Sequence, residues 1–405
     1  MRIFKKSQKL DSVKYEIRGP VAVKANEMIE NGIDVLKLNI GNPAPFGFRA
    51  PQNIVDEMKK HLEDNEGYSH SKGLPETRQA IYEYGLKKGL PNINTDEIFT
   101  GNGASELITM SLNALLDPGD EILVPAPDYP LWTGSVTLAG GTPVHYLCDE
   151  KSNWMPDIED MKKKINSHTK GIVVINPNNP TGAVYPDEVL QQIADLAREH
   201  ELILFSDEIY DRILMDGYEH HSLATFAPDV FTITFGGLSK SHMMCGFRIG
   251  WMILCGDRSR VKDYIAGLTT LASMRLCSNV PAQSVVKMCL EDKSELDAML
   301  QPGGRIYEQR EACINALNDI PGISVVKPHG AFYCFPKLDV DKFNIHDDTQ
   351  FAIDLLEQQH VLITSGTGFN WPAPDHFRIV MLPDVDTITA AMQGLAAFLA
   401  DYHQK

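Results

Sequence analysis

The sequence predicts an α/β fold, a mostly parallel sheet sandwiched by helices with a smaller α+β domain drawn from both chain ends, and three observations predict it. Residues 171–175, the amphipathic run Val189, Leu190, Ile193, Leu196 and Ala197, and residues 202–205 read as strand, helix and strand, a βαβ unit that is right-handed by rule and sets its strands parallel. Short apolar strands also run into loops of small or polar residues after Thr100, Val124, Ile175, Phe205 and Phe235, and in open α/β sheets ligands gather outside the carboxyl ends of the strands. Finally, 405 residues exceed one ordinary core, so two domains are expected. We place the larger at residues 46–304 and the smaller at residues 1–45 together with 305–405.

Taken in order, residues 21–30 have helical spacing through Val21, Ala25, Met28 and Ile29, and Asn31-Gly32 stops them. Residues 35–40 alternate as a strand and run into Gly41-Asn42-Pro43-Ala44-Pro45, a stiff turn that we expect to be a hinge between the domains. Tyr68 lies in a polar loop before a helix at 75–84. The strand at 98–100 leads into Gly101-Asn102-Gly103-Ala104-Ser105-Glu106, and Leu107, Ile108 and Leu112 then mark a buried helix. A strand, a loop of small residues and a helix N-terminus can bind phosphate, because backbone N–H groups and the helix dipole converge on one anion. This is not a P-loop, since no Gly-Lys-Ser/Thr follows. After the strand at 121–124, prolines 127 and 130 fix the direction of Tyr129, suiting either a packed loop or a ring that stacks on a planar ligand.

The strand at 230–235 empties into Gly236-Gly237-Leu238-Ser239-Lys240, with Arg248 eight positions on. Lysine forms Schiff bases with aldehydes, and arginine offers phosphate a planar fork of donors. Beyond Trp251 a long helical stretch carries Tyr264 and Met274 and reaches Pro302-Gly303-Gly304. Helices are then expected at 306–317, 351–358 and 388–399, and strands at 323–326, 331–335, 361–364 and 377–381, an α+β texture. Arg378 stands alone among apolar neighbours and needs a carboxylate, either a structural Asp or Glu or that of a substrate.

Composition narrows the function. A net charge of −17 opposes nucleic acid or an anionic membrane as partner. Seven cysteines without a C-x-x-C pair give neither a disulfide framework nor zinc spacing, and point to reduced thiols and a cytoplasmic protein without a metal. No run is apolar enough to span a bilayer, and the N-terminus lacks a secretory h-region.

The motifs G-N-G-A-S-E, P-D-Y-P-L-W, N-P-N-N-P-T-G, S-D-E-I-Y, G-G-L-S-K, G-F-R-I-G-W and F-R-I-V, in that order, resemble the fold type I, class I aminotransferases that depend on pyridoxal 5′-phosphate. L-K-L-N-I-G-N-P-A-P-F-G-F and T-G-F-N-W-P resemble more narrowly the bacterial alanine aminotransferases, which interconvert alanine and 2-oxoglutarate with pyruvate and glutamate by a ping-pong mechanism. The resemblance implies that Lys240 holds the cofactor as a Schiff base and shuttles the proton, and that Asp207 keeps the pyridine nitrogen protonated. Asn179 and Tyr210 would bond the phenolic oxygen, and Tyr129 would stack on the ring. Gly103, Ala104, Ser105, Ser239 and Arg248 would bind phosphate, with Tyr68 entering from the partner of a homodimer. Arg378 would clamp the substrate α-carboxylate, helped by Gly41 and Asn179, with Tyr15 covering the site, and Asn179-Pro180 would be cis. Ser241-His242-Met243-Met244-Cys245 is bulkier and richer in sulfur than this family's usual pattern, which bears on local cofactor packing. Competing readings are an aminotransferase for aspartate or aromatic substrates, a β-lyase on the same fold, and a cofactor-binding regulator. The last would need a basic DNA-binding module, for which the chain has no spare length.

Overall fold

A computed structural model describes residues 2–13, 15, 19–291 and 295–405; the apolar position Ile17 lies outside them. Eight strands form the central sheet: β1 Ile98–Gly101, β2 Glu121–Ala126, β3 Thr142–Asp149, β4 Met155–Pro156, β5 Thr169–Ile175, β6 Ile203–Asp207, β7 Thr232–Gly237 and β8 Gly250–Cys255. Their order is β1-β8-β7-β6-β5-β2-β3-β4. The run from β7 through β6, β5 and β2 to β3 is parallel, and only β8 and β4 run against it.

Period-two alternation buries both faces. Leu123, Ile172, Val174 and Leu204 face a core shared with helix α2, Asp187–Glu199, through Leu190, Ile193 and Ala197. Their neighbours Ile122, Val124, Val173, Ile175 and Phe205 point the other way, to a core shared with α1, Ala104–Leu115, and α3, Lys262–Met274. The predicted βαβ unit is therefore present, with β5 and β6 adjacent and parallel. Strand β3 escapes the sequence reading because Pro143 and His145 interrupt its apolar pattern.

A separate core collects residues from both ends of the chain. Val21, Ala25, Met28 and Leu38 pack with Cys313, Phe351, Leu355, Phe377 and Leu395. Here Leu36–Lys37 pairs parallel with Val361–Leu362, a much shorter strand than the alternation at 35–40 predicts, since Leu36↔Val361 and Lys37↔Leu362 are its only register partners. Phe377–Val380, which carries Arg378, is hydrogen-bonded on both edges, to Tyr333–Cys334 and to Thr364–Ser365.

The long helix expected from Tyr264 to Pro302 is broken. α3 ends at Met274, Leu276 takes the left-handed φ of 75°, and Pro281 sits in the first turn of a new helix, Val280–Gln283, capped by Asn279. Proline suits a first turn and clashes inside a helix.

Behind the sheet edge lies a charge cluster that anchors the loop following β6. Lys88 Nζ, at the end of helix Pro75–Lys87, reaches Glu208 Oε2 at 2.7 Å and Asp211 Oδ2 at 2.6 Å. The Tyr84 hydroxyl donates to Asp211, and those of Ser206 and Ser222 donate to Glu208. Burial pushes both carboxyls up, but the Lys88 ammonium outweighs it and leaves them below their ordinary values. Their stabilisation is thus present above the unfolded carboxyl range and lost as pH falls below it. Lys88→Met strands two buried carboxylates and is expected to cost about 3–5 kcal/mol near neutral pH, read as a lowered denaturation midpoint.

Candidate active site

The carboxyl ends of the central strands open on one cavity of about 710 Å³. Its walls include Tyr15, Gly41, Ala104, Ser105, Tyr129, Asn179, Asp207, Tyr210, Ser239, Lys240, Arg248 and Arg378. Of the residues singled out in the sequence, Gly103 lies immediately beside this wall, and Tyr68 lies apart, 82% exposed on its own chain.

Local geometry explains these positions. Gly103 takes φ 80° ahead of α1, and a Cβ there would fall on the Arg248 guanidinium. Arg248 in turn donates to Asn102 O at 3.1 Å and to Cys245 O at 3.0 Å. The first turn of α1, Ser239 and this arginine, which only glycine at position 103 leaves room for, thus form a cradle of donors that fits a phosphate. Gly41 is under a similar constraint, since a Cβ would meet the Tyr333 hydroxyl, and its carbonyl accepts a 2.7 Å hydrogen bond from Lys240 Nζ. The structure thus ties Gly41 to the lysine, not only to the neighbourhood of Arg378.

Asp207 ends β6 and is not a helix cap, since a turn follows it. Its Oδ2 accepts from the indole of Trp132 at 3.0 Å and its Oδ1 from the Ile209 amide at 3.4 Å. Among the described residues no cation pairs with it. The Tyr210 hydroxyl lies 2.8 Å from that of Tyr333, and burial together with this neighbour pushes the Tyr210 phenol well above its ordinary value, so it remains protonated. Tyr129 and Tyr15 meet through their hydroxyls at 3.2 Å.

Arg378 is buried between the rings of Tyr333 and Phe369, its Cζ 4.3 Å and 4.5 Å from their centroids. It donates to Asn179 Oδ1 at 2.9 Å and to Asn39 O, while its Nε has no partner. No described Asp or Glu lies within ion-pair distance, so the structural carboxylate that the sequence left open is not there. A buried guanidinium without a described carboxylate partner at a cavity wall fits an anionic ligand.

The bulk of Ser241–Cys245 turns away from the cavity. His242 Nε2 donates to Cys289 O at 2.7 Å and Met244 packs in the core behind, leaving Cys245 as the part that reaches the wall. The Asn179-Pro180 bond is cis, as are Ala126-Pro127 and Asn176-Pro177. Sequence reasoning missed Tyr333, whose apolar setting gave no signal, and Phe369 and Trp132, which stand in the quoted motifs T-G-F-N-W-P and P-D-Y-P-L-W. Among the described residues no group of three or more His, Cys, Asp or Glu is arranged to hold a metal ion.

The family model described as aminotransferase class I and II matches residues 33–395. The chain is 54% identical to the glutamate-pyruvate aminotransferase AlaA of Escherichia coli strain K12, covering all of both chains. It is 52% identical to the alanine aminotransferase of Mycobacterium tuberculosis, over all of this chain and 94% of that one. Among solved structures it is similar to the alanine aminotransferase of Pyrococcus furiosus, with a TM-score of 0.92 and 39% identity over 98% of this chain and all of the other.

Burial pushes the Asp207 carboxyl up to about 6 from an ordinary 3.8, with the Trp132 hydrogen bond opposing the shift. A raised carboxyl keeps its proton in the native chain where the unfolded chain has lost it, so the stability it permits is full at acid pH and falls as pH rises through about 6. Asp207→Asn removes that loss. In denaturant unfolding, the cofactor-free variant is expected to exceed the parent by roughly 2–3 kcal/mol at about pH 7.5, the difference closing toward pH 4.

Proposed function

This chain belongs to the class I and II aminotransferases, and we propose that it moves the amino group of L-alanine to 2-oxoglutarate, giving pyruvate and L-glutamate, with pyridoxal 5′-phosphate as cofactor. The observation that carries the reading is Arg378, a buried guanidinium with no described carboxylate in ion-pair distance, on the same cavity wall as Lys240 and Asp207. The alanine specificity is supported by the names of the full-length relatives.

The cradle of Gly103, Ala104, Ser105, Ser239 and Arg248 fits the phosphate, and Asp207 fits a protonated ring nitrogen. When bound, the cofactor supplies an electron sink for the pair released from the substrate Cα–H bond. Arg378 binds the α-carboxylate and so fixes which Cα bond faces Lys240, with Asn179 steadying the guanidinium. Lys240 Nζ tethers the cofactor at rest and carries the proton during turnover. Asn179 and Tyr210 offer hydrogen bonds to the ring oxygen, the Tyr129 ring packs on the cofactor face, and Tyr15 shields the mouth of the cavity from water.

The same reading includes a homodimer. Tyr68, Met274 and Leu276 are exposed on neighbouring segments tied together by Arg275 to Ser71 O and by Gln283 to Ser69, a surface suited to a second copy in which Tyr68 completes the partner's cradle. Division into residues 46–304 and residues 1–45 with 305–405 is supported by the separate core of the two chain ends. No disulfide joins any of the seven cysteines, in keeping with a cytoplasmic setting, and no described helix is long and apolar enough to cross a membrane.

Steady-state rates over a panel of amino donors and 2-oxo acids test the specificity. Alanine with 2-oxoglutarate should lead, and faster turnover of aspartate or aromatic donors, or β-elimination, would replace this assignment. Lys240→Ala should lose both the visible absorption of the loaded protein and its turnover. Arg378→Ala should lower kcat/KM about a hundredfold for every amino acid, equivalent to roughly 3 kcal/mol; an unchanged KM would remove the clamp.

A further inference from the structure

Asp128 lies beside Tyr129 and has no part in the chemistry above, yet its carboxylate is fully buried with no cation in ion-pair distance among the described residues. Burial pushes it up to about 7 even against the lowering hydrogen bonds from Asn370 and Thr133, so keeping an acid here is costly unless its geometry is used. Its Oδ2 accepts from the Thr133 hydroxyl at 2.7 Å and its Oδ1 from the Asn370 amide at 2.7 Å. The Asp128 backbone N–H donates to Phe369 O at 2.9 Å. Since the Thr133 proton is committed to Asp128, His145 Nε2, 2.9 Å away, must donate to the Thr133 oxygen, which fixes that hydroxyl in turn.

The far side of these bonds is the turn Gly366–Phe369 with Asn370, and its other end is also pinned. Thr367 N and Oγ1 donate to Asp348 at 2.7 Å and 2.6 Å. Between the two pins sits Phe369, whose ring is one of the two faces holding the Arg378 guanidinium.

We propose that Asp128 and Asn370 are a positioning pair that sets the Arg378 clamp in register with the Tyr129 face, the geometry being the loop after β2 bonded to the turn that walls the arginine. The inference rests on the reading of Arg378 as the carboxylate clamp. Neither residue touches the reacting atoms. Their effect is on placement, where an error of about 1 Å costs up to about a hundredfold in rate.

Asn370→Asp tests the pair by setting two carboxylates face to face, and the exchange Asp128→Asn with Asn370→Asp restores one acceptor and one donor. The holoenzyme carrying Asn370→Asp should show KM raised about tenfold or more for alanine, glutamate and their oxo acids alike, with kcat changed less and the visible absorption of the bound cofactor unmoved. The exchange variant should return KM to within a few-fold of the parent. Should Asn370→Asp fail to fold, Asn370→Ala with the exchange variant decides the matter: a raised KM in the first and a near-parental KM in the second support the pair. Parental KM in Asn370→Asp or Asn370→Ala overturns it, as does an exchange variant that regains thermal stability but not KM. If the parent itself transaminates no amino acid, the functional reading fails, a result distinct from an active parent whose KM ignores these substitutions.

Discussion

The register of three parallel strands governs this molecule. Ile175 on β5 is level with Asp207 on β6, which is level with Phe235 on β7, so the three chains leave the sheet along one line. Parallel pairing points all three loops the same way, and backbone hydrogen bonds fix their spacing. Asn179, Tyr210 and Lys240 lie within five residues of that line, close enough for short loops to hold them without a long, entropically costly segment. A slip of one residue in β6 would send Asp207 to the opposite face and turn Phe205 out of its core. Burial of both faces of the sheet is therefore also what protects the site.

Buried charge is handled in two ways around this line. Lys88, Glu208 and Asp211 satisfy one another and leave nothing for a ligand. Asp207 and Arg378 do the reverse: each is buried at the cavity wall, each holds a few neutral hydrogen bonds, and neither meets a counter-ion among the described residues. Uncompensated charge of this kind costs stability, and it makes sense where a ligand of opposite sign arrives. The two are of opposite sign, so a ligand with a cationic ring nitrogen and a carboxylate can satisfy both in only one orientation.

Much of this was legible in the sequence. Strands β5, β6 and β7 announce themselves as apolar runs, and the polar residues that follow them are the ones found at the cavity. What escaped depends on packing between distant segments. Tyr333 reads as a core aromatic because its neighbours in sequence are apolar, Phe369 stands between Gly368 and Asn370 with nothing local to mark a role, and only the fold sets both against Arg378. Trp132 looks like a core residue and is one, in contact with Phe205 and Phe235, while its single N–H reaches Asp207. The break after α3 was missed because apolar spacing continues across Leu276 and Val280, and local backbone preference at Pro281 overrides it.

Polar links between the chain-end segments and the larger region are many; some, such as Arg310 with Asp216 and Lys337 with Glu150, lie off the cavity wall, and others fall on or beside it. Gly41 O takes the Lys240 ammonium, Arg378 gives to Asn179, and Asn370 gives to Asp128. If Lys240 held a cofactor covalently, as the proposed function has it, fewer protons would remain on its Nζ for the Gly41 carbonyl. The bonds of Arg378 to Asn179 and of Asn370 to Asp128 do not involve that amine. On that reading Arg378, tied to Asn179, is where a substrate carboxylate would bear on the contact between the two cores.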